Sequence, residues 1–128
     1  MFSLIVCIKR KEGWSAAKFS EYWRYMHADL IRKNTEFSRH LVDYKQYHQD
    51  SEVGGSVEGD VKIFGDVIRD FDGIAVLTFS SRQHWQLAIQ ERQYIDNIRP
   101  DEFHFIDIKR CRTFFMNPVN ALSINDGD

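Results

Sequence analysis

The sequence predicts an α+β domain in which two helices cover one face of a four-stranded antiparallel sheet. Three observations support this prediction. A chain of 128 residues with 43% hydrophobic content suits one folded domain with a sizeable core. Only two Pro and seven Gly leave room for long regular elements. Strand-like and helical patterns follow one another in the order β-α-β-β-α-β, which is the split βαβ or ferredoxin-like arrangement.

The first half of the chain supplies two strands and one helix. Phe2 to Lys9 is a short run rich in β-branched and aromatic residues, which is typical of a buried strand. Ser15 suits the N-cap of a helix extending to about Lys33, because its hydroxyl can accept from the free amides of the first turn. The apolar face of this helix is predicted to contain Phe19, Trp23, Met26, Leu30 and Ile31.

A second strand is predicted from Phe37 to His48, where the pattern changes to period two. One face of this strand would carry His40, Val42, Tyr44, Gln46 and His48. The glycine-rich acidic segment from Asp50 to Asp60 predicts a loop. Val61 to Ile68 gives only a weak signal, for a short helix or an extended lid.

The second half of the chain repeats the strand and helix patterns. Ile74 to Phe79 is the clearest strand of the sequence. Ser80 or Ser81 can cap a second helix, which we expect to end near Pro100 because proline cannot continue an α-helix. Ile106 to Met116 predicts the last strand. The folded domain would therefore comprise residues 1–116, followed by a polar tail over residues 117–128.

Composition excludes several classes of partner. Lys plus Arg is 17 and Asp plus Glu is 19, and the resulting charge of −2 argues against binding to nucleic-acid phosphates. No stretch approaches the ~20 apolar residues of a membrane span. Two cysteines are too few for a disulfide scaffold, and the apolar start of the chain lacks the basic region of a signal peptide. We therefore expect a cytoplasmic protein with no membrane partner.

The aromatic residues predict a homodimer. They make up 14% of the chain, more than two helices on one face of the sheet can cover. Leaving the other face bare would expose a larger apolar patch than monomers usually tolerate. We therefore expect two copies to pack sheet against sheet.

Several polar residues are candidates for chemistry. His27 lies four positions from both Trp23 and Ile31, at the edge of the apolar face, where a histidine can act as a general base or simply satisfy a core carbonyl. The strand face with Tyr44, Gln46 and His48 suits either a ligand pocket or solvent. A further polar cluster precedes the last strand, where it would orient a catalytic imidazole or solvate a turn: Asp101, Glu102, His104 and Asp107. No metal motif, phosphate loop or dinucleotide fingerprint occurs, so we predict neither a metal site nor a cofactor.

Five stretches of the sequence, taken together as an ordered set, resemble the EthD family of the dimeric α/β-barrel superfamily. The resemblance covers about Phe2 to Phe115, and its most recognisable part is the Phe19 to Leu30 segment of the first helix, where Trp23 is followed by His27 and Ala28. The other matching stretches are Leu4 to Gly13, Tyr44 to His48, Phe71 to Ala75 and Asp101 to Asp107. The resemblance implies a ferredoxin-like monomer, a dimer formed through the sheets, and a pocket between sheet and helices.

The resemblance also implies a class of function. Related cofactor-free members act as decarboxylases, dehydratases, cyclases and isomerases on aromatic or polyketide-like molecules. His27 occupies the motif histidine, so we expect it to be the general base, with His48 and Asp101 as further catalytic candidates. The residues expected to contact the substrate are Trp23, Tyr44, Gln46 and Phe105. A cofactor-free oxygenase of aromatic substrates and a non-catalytic dimeric ligand carrier are the two alternatives.

Overall fold

The computed structural model describes residues 1–50, 65 and 67–123. Within these residues four strands form one sheet: β1 (Phe2–Ile8), β2 (Leu41–His48), β3 (Gly73–Phe79) and β4 (Arg112–Met116). The strands lie in the order β2-β3-β1-β4, and each neighbouring pair runs antiparallel. Helices pack on one face of the sheet. The predicted α+β, ferredoxin-like arrangement is therefore confirmed.

Two helical regions make up the other layer. The first helix runs continuously through α1 (Ala16–Glu21), a π-helical segment (Tyr22–His27) and α2 (Ala28–Lys33), and a short α3 (Thr35–Ser38) follows. The second region contains α4 (Arg82–Ala88), a π-helical segment (Tyr94–Ile98), α5 (Arg99–Phe105) and a 3₁₀ turn (Ile108–Arg110). No helix of the described residues combines the length and apolar character needed to cross a bilayer.

Serine side chains begin both helical regions, as the sequence predicts. The Ser15 hydroxyl oxygen accepts from the backbone N–H of Lys18 at 3.1 Å. The Ser81 hydroxyl oxygen accepts from the backbone N–H of His84 at 3.3 Å. Each bond satisfies one amide that has no partner inside its own helix, which fixes where the helix starts.

The π-helical segment changes which residues of the first helix face the sheet. Phe19 and Trp23 are buried as predicted, but Met26 is 61% exposed and the prediction that it belongs to the apolar face is wrong. Because a π-helical turn holds more residues than an α-helical turn, it rotates the following side chains around the helix axis. His27 thereby occupies the interior position and is only 4% exposed.

The second helix departs from its prediction in the middle and at its end. It is interrupted after Ala88, and it continues beyond Pro100 to Phe105. The π-helical segment Tyr94–Ile98 leads directly into α5, so Pro100 lies inside a continuous helix and does not end it.

Two strands begin later in the sequence than predicted. β2 starts at Leu41, because Phe37 belongs to α3. A bulge after Leu41 then makes Leu41 pack on the core, while Val42 is 49% exposed. β4 starts at Arg112, because Ile106 forms an isolated bridge with Arg10 and a 3₁₀ turn follows it.

Parts of three predictions concern residues that the structure does not describe. Beyond Asp50, the predicted loop lies outside the described residues. Of the segment Val61 to Ile68, only Gly65, Val67 and Ile68 are described, and these belong to no helix or strand. Residues 124–128 of the predicted tail are also outside the described range.

The core lies between the helices and the sheet, and close packing there requires a glycine at the start of β3. Phe19, Trp23, Phe79 and Phe105 are almost completely buried. A Cβ atom on Gly73 would overlap the indole ring of Trp23 and approach the carbonyl oxygen of Tyr47 to 2.9 Å. The absence of a side chain at Gly73 therefore makes room for Trp23.

Candidate functional site

A cavity of about 510 Å³ lies between the sheet and the helices. Its walls are mostly aliphatic and aromatic, and the sheet contributes Leu4, Val6, Ile8, Ala75 and Leu77 to them. A few polar side chains also line it, chiefly His27, Tyr44, Tyr94, Arg99 and Glu102. A cavity of this size, apolar with a few polar groups, is typical of small-molecule sites.

His27 is held by a carboxylate on the opposite helix. Its Nδ1 lies 2.7 Å from Oδ2 of Asp101, which belongs to α5. Oδ1 of the same carboxylate accepts a short hydrogen bond from the Tyr22 hydroxyl. The ring of Phe105 packs beside the imidazole, with the two ring centres 5.0 Å apart. The structure therefore brings together two of the predicted catalytic residues, His27 and Asp101.

The π-helical segment explains how Tyr22 and His27 reach the same carboxylate. Residues five apart in an α-helix point about 140° away from each other, since each residue turns the helix by about 100°. In a π-helix the hydrogen bonds join residues five apart, which brings such residues onto the same side. Tyr22 and His27 are the first and last residues of that segment. The widened turn therefore aims both side chains at Asp101.

The electrostatics of this group favour an ionised Asp101 and a protonated Tyr22. Burial raises the pKa of Asp101, but hydrogen bonds from His27 and Tyr22 outweigh it and hold the pKa below its usual value. Burial and the hydrogen bond to Asp101 raise the pKa of Tyr22 well above its usual value. Because an ionised carboxylate only accepts hydrogen bonds, Nδ1 of His27 must carry a proton.

The second nitrogen of the His27 ring, Nε2, is available for another contact. Within the described part of the chain, Nε2 has no hydrogen-bond partner, and the side chain lines the cavity. In the neutral ring a proton on Nδ1 leaves a lone pair on Nε2. The site therefore presents a proton acceptor to a bound molecule, and the Asp101 carboxylate stabilises the positive charge that the ring acquires on accepting a proton.

His48 and Gln46 lie in a hydrogen-bonded chain that is not part of the cavity wall. Nδ1 of His48 lies 2.6 Å from the Ser20 hydroxyl, and Nε2 lies 2.8 Å from Oε1 of Gln46. Gln46 in turn donates to the Tyr44 hydroxyl oxygen at 3.0 Å. Burial and the nearby charge of Arg24 lower the pKa of His48. These contacts give His48 no direct access to a molecule in the cavity.

The predicted substrate-binding residues have different positions. Trp23 and Tyr44 line the cavity. Phe105 is fully buried behind His27 rather than on the cavity wall, and Gln46 reaches the cavity only through Tyr44. Of the four, Trp23 and Tyr44 are placed to touch a ligand.

Sequence reasoning names Glu102 but misses its two partners on the cavity wall, Tyr94 and Arg99. Glu102 accepts from the Tyr94 hydroxyl at 2.8 Å and from Nη1 of Arg99 at 3.0 Å. Arg99 and Glu102 are three residues apart, so their ion pair is visible in the sequence once the helix is known to continue past Pro100. Tyr22 is missed because only a π-helical turn places it beside His27. The described residues contain no cluster of three or more side chains able to hold a metal ion.

Comparison with solved structures supports the fold. An EthD family protein from Bacillus halodurans is 19% identical, with a TM-score of 0.63 over 93% of this chain and 99% of that one. A dimeric ferredoxin-like protein of unknown function from Thermobifida fusca is 7% identical, with a TM-score of 0.58 over 91% and 90% of the two chains. An antibiotic biosynthesis monooxygenase is 12% identical, with a TM-score of 0.51 over 93% and 99%. These chains share the fold.

Sequence comparison identifies the family. No curated protein gives a significant match to the chain. The family model of the EthD domain matches residues 11–109, which include the His27 segment, the Gly73 strand and Asp101. This match covers most of the chain and agrees with the family resemblance of the motifs. The chain therefore belongs to the EthD domain family.

Proposed function

We propose that this protein is a cofactor-independent lyase or cyclase that acts on an aromatic or polyketide-like substrate by removing a proton next to a carbonyl group. The observation that carries the proposal is the 2.7 Å contact between Asp101 and Nδ1 of His27, in a side chain that lines an apolar cavity. With Nδ1 engaged, Nε2 is the nitrogen available to a bound molecule. A histidine in this state is a general base.

The proposed reaction begins with proton transfer from carbon to Nε2 of His27. The electron pair of the broken C–H bond moves onto the carbonyl oxygen and forms an enolate, and the imidazolium is stabilised by Asp101. The Tyr44 hydroxyl, on the cavity wall, donates to the enolate oxygen. Dehydration and aldol-type ring closure proceed from this enolate. Decarboxylation of a β-keto acid reaches an enolate by breaking the C–C bond and releasing CO₂ instead, and the Tyr44 hydroxyl would stabilise that enolate in the same way.

The substrate class follows from the cavity wall. Trp23 and the aliphatic side chains of the sheet suit a flat apolar molecule, and about 510 Å³ is enough for a compound of two or three fused rings. The polar groups are few, which suits a substrate with one or two oxygen-bearing ends.

The experiment is exchange of the α-protons of 2-tetralone, a bicyclic aromatic ketone, in D₂O. We expect the protein to accelerate exchange at the carbon between ring and carbonyl above the buffer rate, measured by proton NMR. Exchange at the buffer rate contradicts the proposal. Oxygen uptake during turnover of an electron-rich aromatic substrate would instead favour the cofactor-free oxygenase. Binding of 2-tetralone without exchange would favour the ligand carrier.

We also propose that the protein is a cytoplasmic homodimer. The sheet face opposite the helices exposes Tyr47, Ile74, Phe114 and Met116 by between 38% and 55%. The neighbour from Thermobifida fusca is described as dimeric, which supports the same assembly here. Cys7 and Cys111 are free thiols, which suits a reducing compartment.

A further inference from the structure

The amide of Gln46 has an orientation fixed by the backbone. Its nitrogen lies 2.8 Å from the carbonyl oxygen of Trp23 and 3.0 Å from the Tyr44 hydroxyl oxygen. A carbonyl oxygen only accepts, so the atom of Gln46 beside it must be the NH₂ group. The two N–H bonds of Gln46 are then directed to Trp23 and to Tyr44.

This orientation also fixes the protonation of His48. The Gln46 oxygen lies 2.8 Å from Nε2 of His48 and can only accept, so Nε2 must carry a proton. In the neutral ring Nδ1 then accepts from the Ser20 hydroxyl, 2.6 Å away. Every donor in the chain therefore points from Ser20 through His48 and Gln46 towards Tyr44.

The consequence falls on the Tyr44 hydroxyl. Its oxygen accepts from Gln46, so its own proton is free for another acceptor, and none is found among the described residues. The Tyr44 side chain lines the cavity. Burial raises the pKa of Tyr44 and outweighs the hydrogen bonds from Gln46 and Trp23 that lower it, so the hydroxyl keeps its proton.

We propose that Ser20, His48 and Gln46 are positioning residues that direct the Tyr44 hydroxyl proton into the cavity, where it donates to an oxygen atom of the bound molecule. This inference rests on the proposed function of the same cavity. It gives His48, which does not line the cavity, an indirect role. It also predicts that the ligand presents a carbonyl or enolate oxygen, and not a donor, to Tyr44.

The first test reads the protonation of His48 without any ligand. Long-range ¹H–¹⁵N correlation spectra of the wild-type protein at neutral pH are expected to show the proton of His48 on Nε2. A proton on Nδ1 with a bare Nε2 would reverse the chain and overturn the proposal. The assignment uses His48→Gln, which removes the corresponding signals.

The second test measures equilibrium binding of 2-tetralone, whose carbonyl oxygen can accept a hydrogen bond but cannot donate one. Gln46→Glu keeps the side-chain size but replaces the donor by an acceptor, so the Tyr44 proton turns away from the cavity. We expect Gln46→Glu and Tyr44→Phe each to weaken 2-tetralone binding by about tenfold, and the double variant to bind no more weakly than Tyr44→Phe. Gln86→Glu, which adds the same charge at an exposed position of α4, is the matched control and should bind like the wild type.

The outcomes separate the two proposals. Unchanged 2-tetralone binding by Gln46→Glu, or additive losses in the double variant, would overturn the positioning role while leaving 2-tetralone exchange in the wild-type protein intact. Absence of 2-tetralone exchange with the expected binding losses and Nε2 protonation would overturn the proposed reaction and support the hydrogen-bond chain. If Gln46→Glu does not fold, the spectrum of wild-type His48 still decides the direction of the chain.

Discussion

His27 and Asp101 are 74 residues apart in the sequence, and their side chains meet at 2.7 Å across the two helical regions. The contact joins a π-helical segment of the first helix to the first turn of α5. It engages Nδ1 of the imidazole and leaves Nε2 without a partner among the described residues, in a side chain that lines the cavity. This division of roles underlies the general base that we propose.

Replacing Asp101 by Asn tests the role of the carboxylate. The amide can donate to Nδ1 of His27, which moves the ring proton to Nε2 and removes the base from the cavity. We expect 2-tetralone exchange to fall by about 10²-fold or more, with the fold retained. Asp96→Asn, an exposed position of the second π-helical segment, is the control and should exchange at the wild-type rate. Equal rates for Asp101→Asn and the wild type would show that Asp101 does not hold the ring proton.

The depressed pKa of Asp101 predicts a contribution to acid stability. Because the pKa is lower in the folded than in the unfolded state, stability from this carboxylate is fully present above pH about 4 and is lost as pH falls through the folded pKa. We expect the free energy of unfolding, measured by urea titration, to fall less for Asp101→Asn than for the wild type between pH 6 and pH 3. Asp43→Asn, which changes an exposed carboxylate, is the control and should show the same dependence of the free energy of unfolding on pH as the wild type. If the free energy of unfolding fell equally in Asp101→Asn and the wild type, Asp101 would not contribute to the acid dependence of stability.

A methyl group at Gly73 is expected to disturb the cavity wall. Because the added Cβ would overlap Trp23, Gly73→Ala should destabilise the protein by about 1–3 kcal/mol, the range for overpacked cores. Displacement of the indole should also shift the tryptophan fluorescence. Ile74→Val, at the next residue of β3 on the open face, provides a control with little effect. If Gly73→Ala is as stable as the wild type, Trp23 can shift to accommodate the methyl group without loss of stability, which would contradict the prediction.

The proposed homodimer is tested on the open face of the sheet. A charge at Phe114, which is 47% exposed on β4, would have to be buried between two sheets, so Phe114→Glu should give a monomer in light scattering at micromolar concentration. Leu87→Glu, at an equally exposed position of α4, should leave the dimer intact. A wild-type protein that is monomeric under these conditions contradicts the assembly.

Local signals predict the elements of this fold well. Ser15 and Ser81 both form the bonds expected of N-caps, because capping depends on residues only three positions away. The boundaries that depend on tertiary context are wrong. The helix runs through Pro100, which closely follows a π-helical segment, and Met26 is exposed because a π-helical turn rotates the face.

The site is predictable only in part, for the same reason. The sequence indicates His27 as a base and Asp101 as its partner, since both lie in matching motifs. It does not indicate Tyr22 or Arg99, whose contacts depend on the exact phase of the helices. His48 shares a strand face with Tyr44 as predicted, but a chain through Gln46 separates it from the cavity.

The central claim, that His27 is the base, is tested most directly by 2-tetralone exchange in His27→Gln. Glutamine keeps polarity and much of the side-chain shape but cannot accept and release a proton, so we expect the exchange rate to fall by about 10²-fold or more with thermal stability nearly unchanged. His84→Gln, at an exposed histidine of α4, is the matched control and should retain the wild-type rate. Full exchange by a folded His27→Gln variant would contradict the account and make His27 a structural histidine.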